Sequence, residues 1–241
     1  MLELIVGAII ISFSAVFVKL TTVEPTVSAF YRMFFGALVL VVIVFIKREP
    51  IWFGWRTASV IVFAALCFAG DLFFWHRSIV FVGPGLATLL ANFQVFLLAL
   101  AGLFWFRDPL RWEIALSIPL AILGLGLLIG VDWSSLPKDY RTGIVLGLLT
   151  AFCYAAYILS LRASRVSEIG PSSLGIMALI SFYCALLLAG LASLEKQSLA
   201  IPTWQDAGIL IAYGIVAQVL GWMMISRGIT KVGAAQTGLI L

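Results

Sequence analysis

The stretch spanning residues 69–94, AGDLFFWHRSIVFVGPGLATLLANFQ, gathers the side chains of this sequence best placed to do chemistry. Asp71 is the only carboxylate set deep inside an apolar run, with Trp75, His76, Arg77, Asn92 and Gln94 close by in sequence. In hydrocarbon an ionisable side chain costs about 2.5–3.5 kcal/mol on insertion scales, so one kept there faces a cavity or a partner. A carboxylate so placed can take up and release a proton during a cycle, which makes Asp71 a candidate for proton coupling. The competing reading is structural. Arg32 enters its own apolar run from the same side, at a depth its side chain could bridge, and an Arg32–Asp71 ion pair would lock two helices together.

Other polar groups fall at a similar depth. Counting about 1.5 Å per helical residue, Asp71 and Asn92 lie slightly to one side of the mid-plane and Tyr154 and Gln218 close to it. Ser12 and Ser14 sit near the middle of the first run. Asp71, Trp75, Asn92, Gln94, Tyr154, Gln218 and Trp222 are therefore the candidate substrate-binding residues, the two tryptophans offering rings to an apolar or aromatic cargo. For the amides Asn92, Gln94 and Gln218 the alternative is interhelical hydrogen bonding. Ser12 and Ser14 read as packing residues, and His76, the single histidine, as an interfacial one.

The elements that must carry these groups are membrane helices. Of 241 residues, 63% are hydrophobic and only 11% charged, with a mean hydropathy of +1.16; soluble domains have about 45–50% apolar and about 25% charged residues. The net charge of +4 reflects basic residues at the ends of apolar runs, not a patch, so nucleic acid is excluded as a partner and a lipid bilayer expected. Cys67, Cys153 and Cys184 all lie inside apolar runs without metal-ligand spacing. No GxSxG, P-loop, HExxH or paired carboxylates occur, so neither cofactor, metal nor catalytic residue is expected.

A crossing needs about 20 apolar residues. Eight runs meet this, at 2–20, 27–46, 57–80, 85–106, 110–130, 143–163, 172–194 and 206–228, and a ninth opens at Val232. These are spans 1 to 9. Their lack of alternation favours helices over barrel strands. With the N-terminus cytoplasmic, nine Lys and Arg fall on the inner side, and Lys19, Arg77, Lys138, Arg141 and Lys196 on the outer; the positive-inside bias selects this orientation. HRSIVFVG (76–83) aligns with SRGITKVG (226–233), each closing one span and opening the next, on opposite sides of the membrane. That pattern expects two halves of opposite orientation.

Arg32 within VSAFYRMFFGALVL, the GPGLATLLANFQVFLLALAGLFWFRDPLRWEIALSIPLAILGLGLLI stretch, GIVLGLLTAFCYAAYILSLRAS and GIVAQVLGWMMISRGITKVGAAQTGLIL together resemble the EamA repeat of the drug/metabolite transporter superfamily. The resemblance implies an all-α membrane protein of ten helices in two inverted five-helix repeats, both termini cytoplasmic, with a central pocket and alternating access. On that pattern residues 1–131 form the first repeat and 143–241 an incomplete second one, lacking most of helix 9 and helix 10. Gln94 stands where the family usually has proline, and Asp108 where it commonly has glutamate.

The sequence therefore leads to a multi-pass cell-membrane transporter, not an enzyme, moving a small molecule (amino-acid-like or drug-like), by efflux, with protons as a candidate coupling ion. Two alternatives stand beside it: a membrane-embedded lipid-modifying enzyme, and a non-transporting remnant or assembly subunit.

Overall fold

The computed structural model describes residues 2–52, 54–104, 133–163, 173–232 and 234–241, with isolated positions between 112 and 127. Most of span 5, and with it Arg107, Asp108, Arg111 and Glu113, lies outside the described residues, as does Gly233 of the second octet. Among the described residues every extended element is a helix: α1 Leu2–Ser12, α2 Ser14–Leu20, α3 Pro25–Lys47, α4 Trp55–Ala91, α5 Gln94–Phe104, α6 Lys138–Ala163, α7 Ser173–Leu194, α8 Trp204–Tyr213, a π-helical stretch Gly214–Gly221, α9 Trp222–Gly228 and α10 Ala234–Ile240.

Among the described residues, six helical stretches are long and apolar enough to cross a bilayer, one of them the 50-residue run Trp55–Phe104. That run is two passes, because Gly83 adopts φ 82°, ψ 163° inside it, ahead of Pro84. A left-handed φ is open to glycine at little cost, and proline lacks the N–H that would continue the helix. The chain reverses there: Ser78 from one arm and Leu90 from the other both close on Gly147 of α6. The protein is thus a multi-pass all-α membrane protein. Its helices are apolar on every side, but the two faces differ. On α3, Met33, Ala37, Leu40 and Val44 are buried while Phe34, Leu38, Val42 and Phe45 are exposed, as a lipid-facing stripe requires.

Three spans are less regular than their apolar runs suggest. Span 1 is interrupted at Phe13, where Ser12 turns its hydroxyl back to the Ile9 carbonyl at 2.7 Å; such back-bonding bends helices. Span 4 is broken at Asn92–Phe93, where Phe93 N–H bonds Leu90 and Val95 N–H bonds Asn92. Span 8 widens into the π-helical stretch between α8 and α9. All three irregularities occur beside the same cavity.

Packing joins α1 to α9, α4 to α6, α3 to α7 and α10 to α5. At one end of the bundle, polar ties bind residues 21–77 to residues 195–206. The Asp206 carboxylate accepts from Thr21 Oγ1 (3.1 Å), Thr22 N (2.9 Å), Thr22 Oγ1 (3.0 Å) and Thr203 Oγ1 (2.7 Å). Glu195 accepts from Thr26 Oγ1 at 2.7 Å and pairs with Arg77, whose guanidinium also lies over the Phe73 ring. At the other end, Lys231 pairs with Glu3 at 2.6 Å on an exposed surface.

Candidate functional site

A cavity of about 200 Å³ lies between these helices. Its wall is built from α1 (Ala8, Ile11, Ser12), α2 (Ser14), α3 (Arg32), the two arms of α4 (Phe68, Asp71, Leu72 and Trp75; Thr88 and Ala91), Asn92, α6 (Tyr154), α9 (Trp222) and Leu241. Residues 71 and 92 meet because Gly83 folds α4 back on itself. Beneath the cavity, Phe68 stacks on Tyr157 with centroids 4.2 Å apart, and Trp222 stands edge-on to both at 5.1 and 4.8 Å. Trp222 also meets Tyr154 edge-on at 5.9 Å. Interlocked rings hold one another by area and quadrupole, which gives the site a rigid aromatic floor.

Five of the seven candidate residues share this wall: Asp71, Trp75, Asn92, Tyr154 and Trp222. The other two do not. Gln94 is fully buried at the start of α5, and neither atom of its amide has a hydrogen-bond partner. Gln218 is fully buried in the π-helical stretch, donating to Ser181 Oγ of α7 at 2.9 Å and lying so close to Gly36 that a Cβ there would sit 2.5 Å from its Cγ. Gln218 belongs to a helix contact and Gln94 to the buried start of α5, and span depth gives the level of each but not its face. Ser12 and Ser14, expected to pack, line the cavity instead.

Arg32 and Asp71 face the same space without forming a direct ion pair: among the described residues the ion pairs are Arg77–Glu195 and Lys231–Glu3. Arg32 Nη1 donates to the Tyr213 hydroxyl at 3.0 Å, and its guanidinium lies over the rings of Phe68 (5.6 Å) and Tyr213 (5.0 Å). His76 departs from its interfacial reading. It is fully buried, with Nδ1 2.7 Å from the Leu72 carbonyl and Nε2 3.4 Å from the Tyr213 hydroxyl. Tyr213 went unnoticed in the sequence, as did Phe68, Thr88 and the end ties of Asp206 and Glu195. Phe68 and Thr88 were reachable: they sit three before Asp71 and four before Asn92, the spacing that puts residues on one helix face. Tyr213 carries no such signal, because its contacts come from spans 1, 2 and 3: Phe17, Arg32 and His76.

No curated protein matches the chain. A solved crystal structure superposes with a TM-score of 0.75 at 17% sequence identity, covering 99% of this chain and 82% of its own; at that identity the likeness speaks to fold alone. The family model of the EamA-like transporters matches residues 1–130, more than half of the sequence and the part that supplies most of the cavity wall. This multi-pass membrane chain belongs to the EamA-like transporter family.

Proposed function

We propose that the chain moves a small metabolite out of the cytoplasm across the cell membrane, by alternating access around the cavity between its helices. The observation that carries this reading is Asp71, a carboxylate 7% exposed within a membrane span, on the wall of a cavity walled also by Trp75, Tyr154 and Trp222. A hollow at that depth, mostly apolar but holding Arg32, Asp71 and Asn92 on its wall, is where inverted-repeat transporters hold cargo. A volume of about 200 Å³ suits a metabolite better than a drug-sized ligand, whose pockets run about 300–1,000 Å³.

Two inverted repeats, 1–131 and 143–241, with the N-terminus cytoplasmic, supply the rocking halves. Helix packing supports that division. Span 1 packs on span 8, span 6 on span 3 through Tyr157 against Phe68 and Cys153 against Gly70, span 2 on span 7, and the start of span 9 on span 4. Exchanging each span for its counterpart five along turns the first pair into the second and the other two into themselves. Family membership favours transport over lipid modification. Asp71 couples the movement to protons.

Vesicles carrying the purified chain, loaded with labelled small metabolites, test this directly. Flux of at least one metabolite, stimulated by a proton gradient and lost in Asp71→Asn with normal expression and folding, is the expected result. Flux that ignores the gradient removes the coupling role, and absence of flux across a broad panel removes the transporter reading.

A further inference from the structure

We propose that Arg32 is the anion-binding group of this cavity, so that the cargo carries a carboxylate; this rests on the transport-cavity reading above and deepens it. Arg32 is 2% exposed on α3 and lines the cavity. A charge there needs an anion or a strong acceptor network. Its surroundings supply neither in full. The Tyr213 hydroxyl takes one N–H, Nε has no acceptor, and the two flanking rings offer only their π-faces.

The tie to Tyr213 has a fixed polarity. His76 Nδ1 faces the Leu72 carbonyl, an acceptor, so Nδ1 carries a proton, and in the neutral imidazole Nε2 is left to accept. The Tyr213 hydroxyl then donates to His76 Nε2 and accepts from Arg32. In that form His76 and Tyr213 bring no charge to Arg32. They orient the guanidinium without discharging it. Asp71 is the one carboxylate on the same wall, yet it forms no ion pair with Arg32 among the described residues. A guanidinium held in a fixed plane by an acceptor and two rings, facing a void, is a fork for a planar carboxylate. Asp71 leaves room for a second feature: a cargo with a cationic group as well would meet both charges.

Equilibrium binding to the purified full chain in detergent tests the proposal with three probes sharing one aromatic ring: 3-phenylpropionate (carboxylate only), phenylalanine (carboxylate and ammonium) and phenethylamine (ammonium only). At least one carboxylate probe should bind. Arg32→Lys, which keeps charge but loses the fork, should weaken it by about tenfold, and Arg32→Met should abolish it, with phenethylamine no weaker in either. Binding of phenylalanine without phenylpropionate supports the proposal and assigns the ammonium to Asp71; binding of both supports a simple carboxylate. Should Arg32→Met fail to fold, Tyr213→Phe, which keeps the charge and frees its orientation, should weaken the carboxylate probes by about threefold and spare phenethylamine. Carboxylate binding to wild type by neither probe, or to Arg32→Met or Tyr213→Phe at wild-type strength, overturns the proposal. Because the readout is binding, a chain that binds but moves nothing sinks the transporter reading alone, and one that moves cargo with no carboxylate preference sinks this one alone.

Discussion

Gln94 and Gln218 carry the same side chain at comparable burial and should respond oppositely to the same substitution. The Gln94 amide has no hydrogen-bond partner on either atom, whereas Gln218 leaves Oε1 unpartnered but holds Ser181 across the helix contact through Nε2. A buried polar group without a partner costs about 1–3 kcal/mol. Gln94→Leu removes that penalty and should raise the melting point in detergent, by about 1 kcal/mol in stability. Gln218→Leu should lower it by about 0.6 kcal/mol, the average worth of an interhelical bond in a membrane protein. Thermal unfolding followed by tryptophan fluorescence or aggregation reads both. A Gln94→Leu protein less stable than wild type would mean that this amide has a role its surroundings do not explain. Asp71 differs from both amides in facing open space, which is why function is argued from it and packing from them.

At the level of the helix, the turn at Gly83 should be sensitive to its backbone alone. A Cβ there meets nothing within 4 Å, so Gly83→Ala makes no clash and costs only the left-handed φ of 82°. With ψ at 163° the residue lies in a region that is nearly glycine-only, and the strain is worth about 1–3 kcal/mol for an L-residue. Gly85→Ala, two residues on, also meets nothing within 4 Å and has no such φ, so it should leave the melting point unchanged or slightly raised. Equal effects at the two positions would show that the hairpin is not closed by glycine conformation. This turn was legible in the sequence because Gly-Pro-Gly between two apolar runs is a local signal. So were the spans themselves, whose expected ends fall mostly within a few residues of the observed ones. What stayed hidden has one cause. A soluble helix betrays its buried face by alternating polar and apolar residues, but these helices are apolar toward lipid and apolar toward one another. Depth could be counted along the chain, while rotation about the axis could not. Hence depth puts Asn92, Gln94 and Gln218 at comparable levels, while of the three it is Asn92 that lines the cavity. The interruptions at Phe13 and Asn92–Phe93 escaped for a related reason. Neither contains proline or glycine; indeed span 4 breaks just before Gln94, where the family resemblance leads one to expect a proline to do it. The π-helical widening at Gly214–Gly221 likewise answers to neighbouring helices.

Across the whole molecule, the ties that the described residues make between the first and second parts of the chain are unequal at the two ends, and that inequality predicts which way the cavity opens when they are cut. Glu195 and Asp206 each bind several partners from residues 21–77, and Tyr31 adds a bond to the Leu199 carbonyl. All lie at the end that the proposed orientation puts outside the cell. The opposite end shows the Lys231–Glu3 pair, its side chains 57% and 38% exposed. Exposed pairs of this kind contribute about 0–1 kcal/mol. If the two halves rock between two states, removing contacts made in only one state shifts the population toward the other, tenfold for every 1.4 kcal/mol or so. The double variant Glu195→Gln, Asp206→Asn should therefore favour opening to the outside, while Glu3→Gln should shift little. A cysteine at Thr88, on the cavity wall, reports this once Cys67, Cys153 and Cys184 are replaced. Membrane-impermeant maleimide added to intact cells should label it several-fold faster in the double variant than in the parent, and at the parental rate in Glu3→Gln. Equal labelling in all three proteins would deny these ties any part in gating. Faster labelling from Glu3→Gln instead would place the weaker end outside and invert the proposed orientation of the chain.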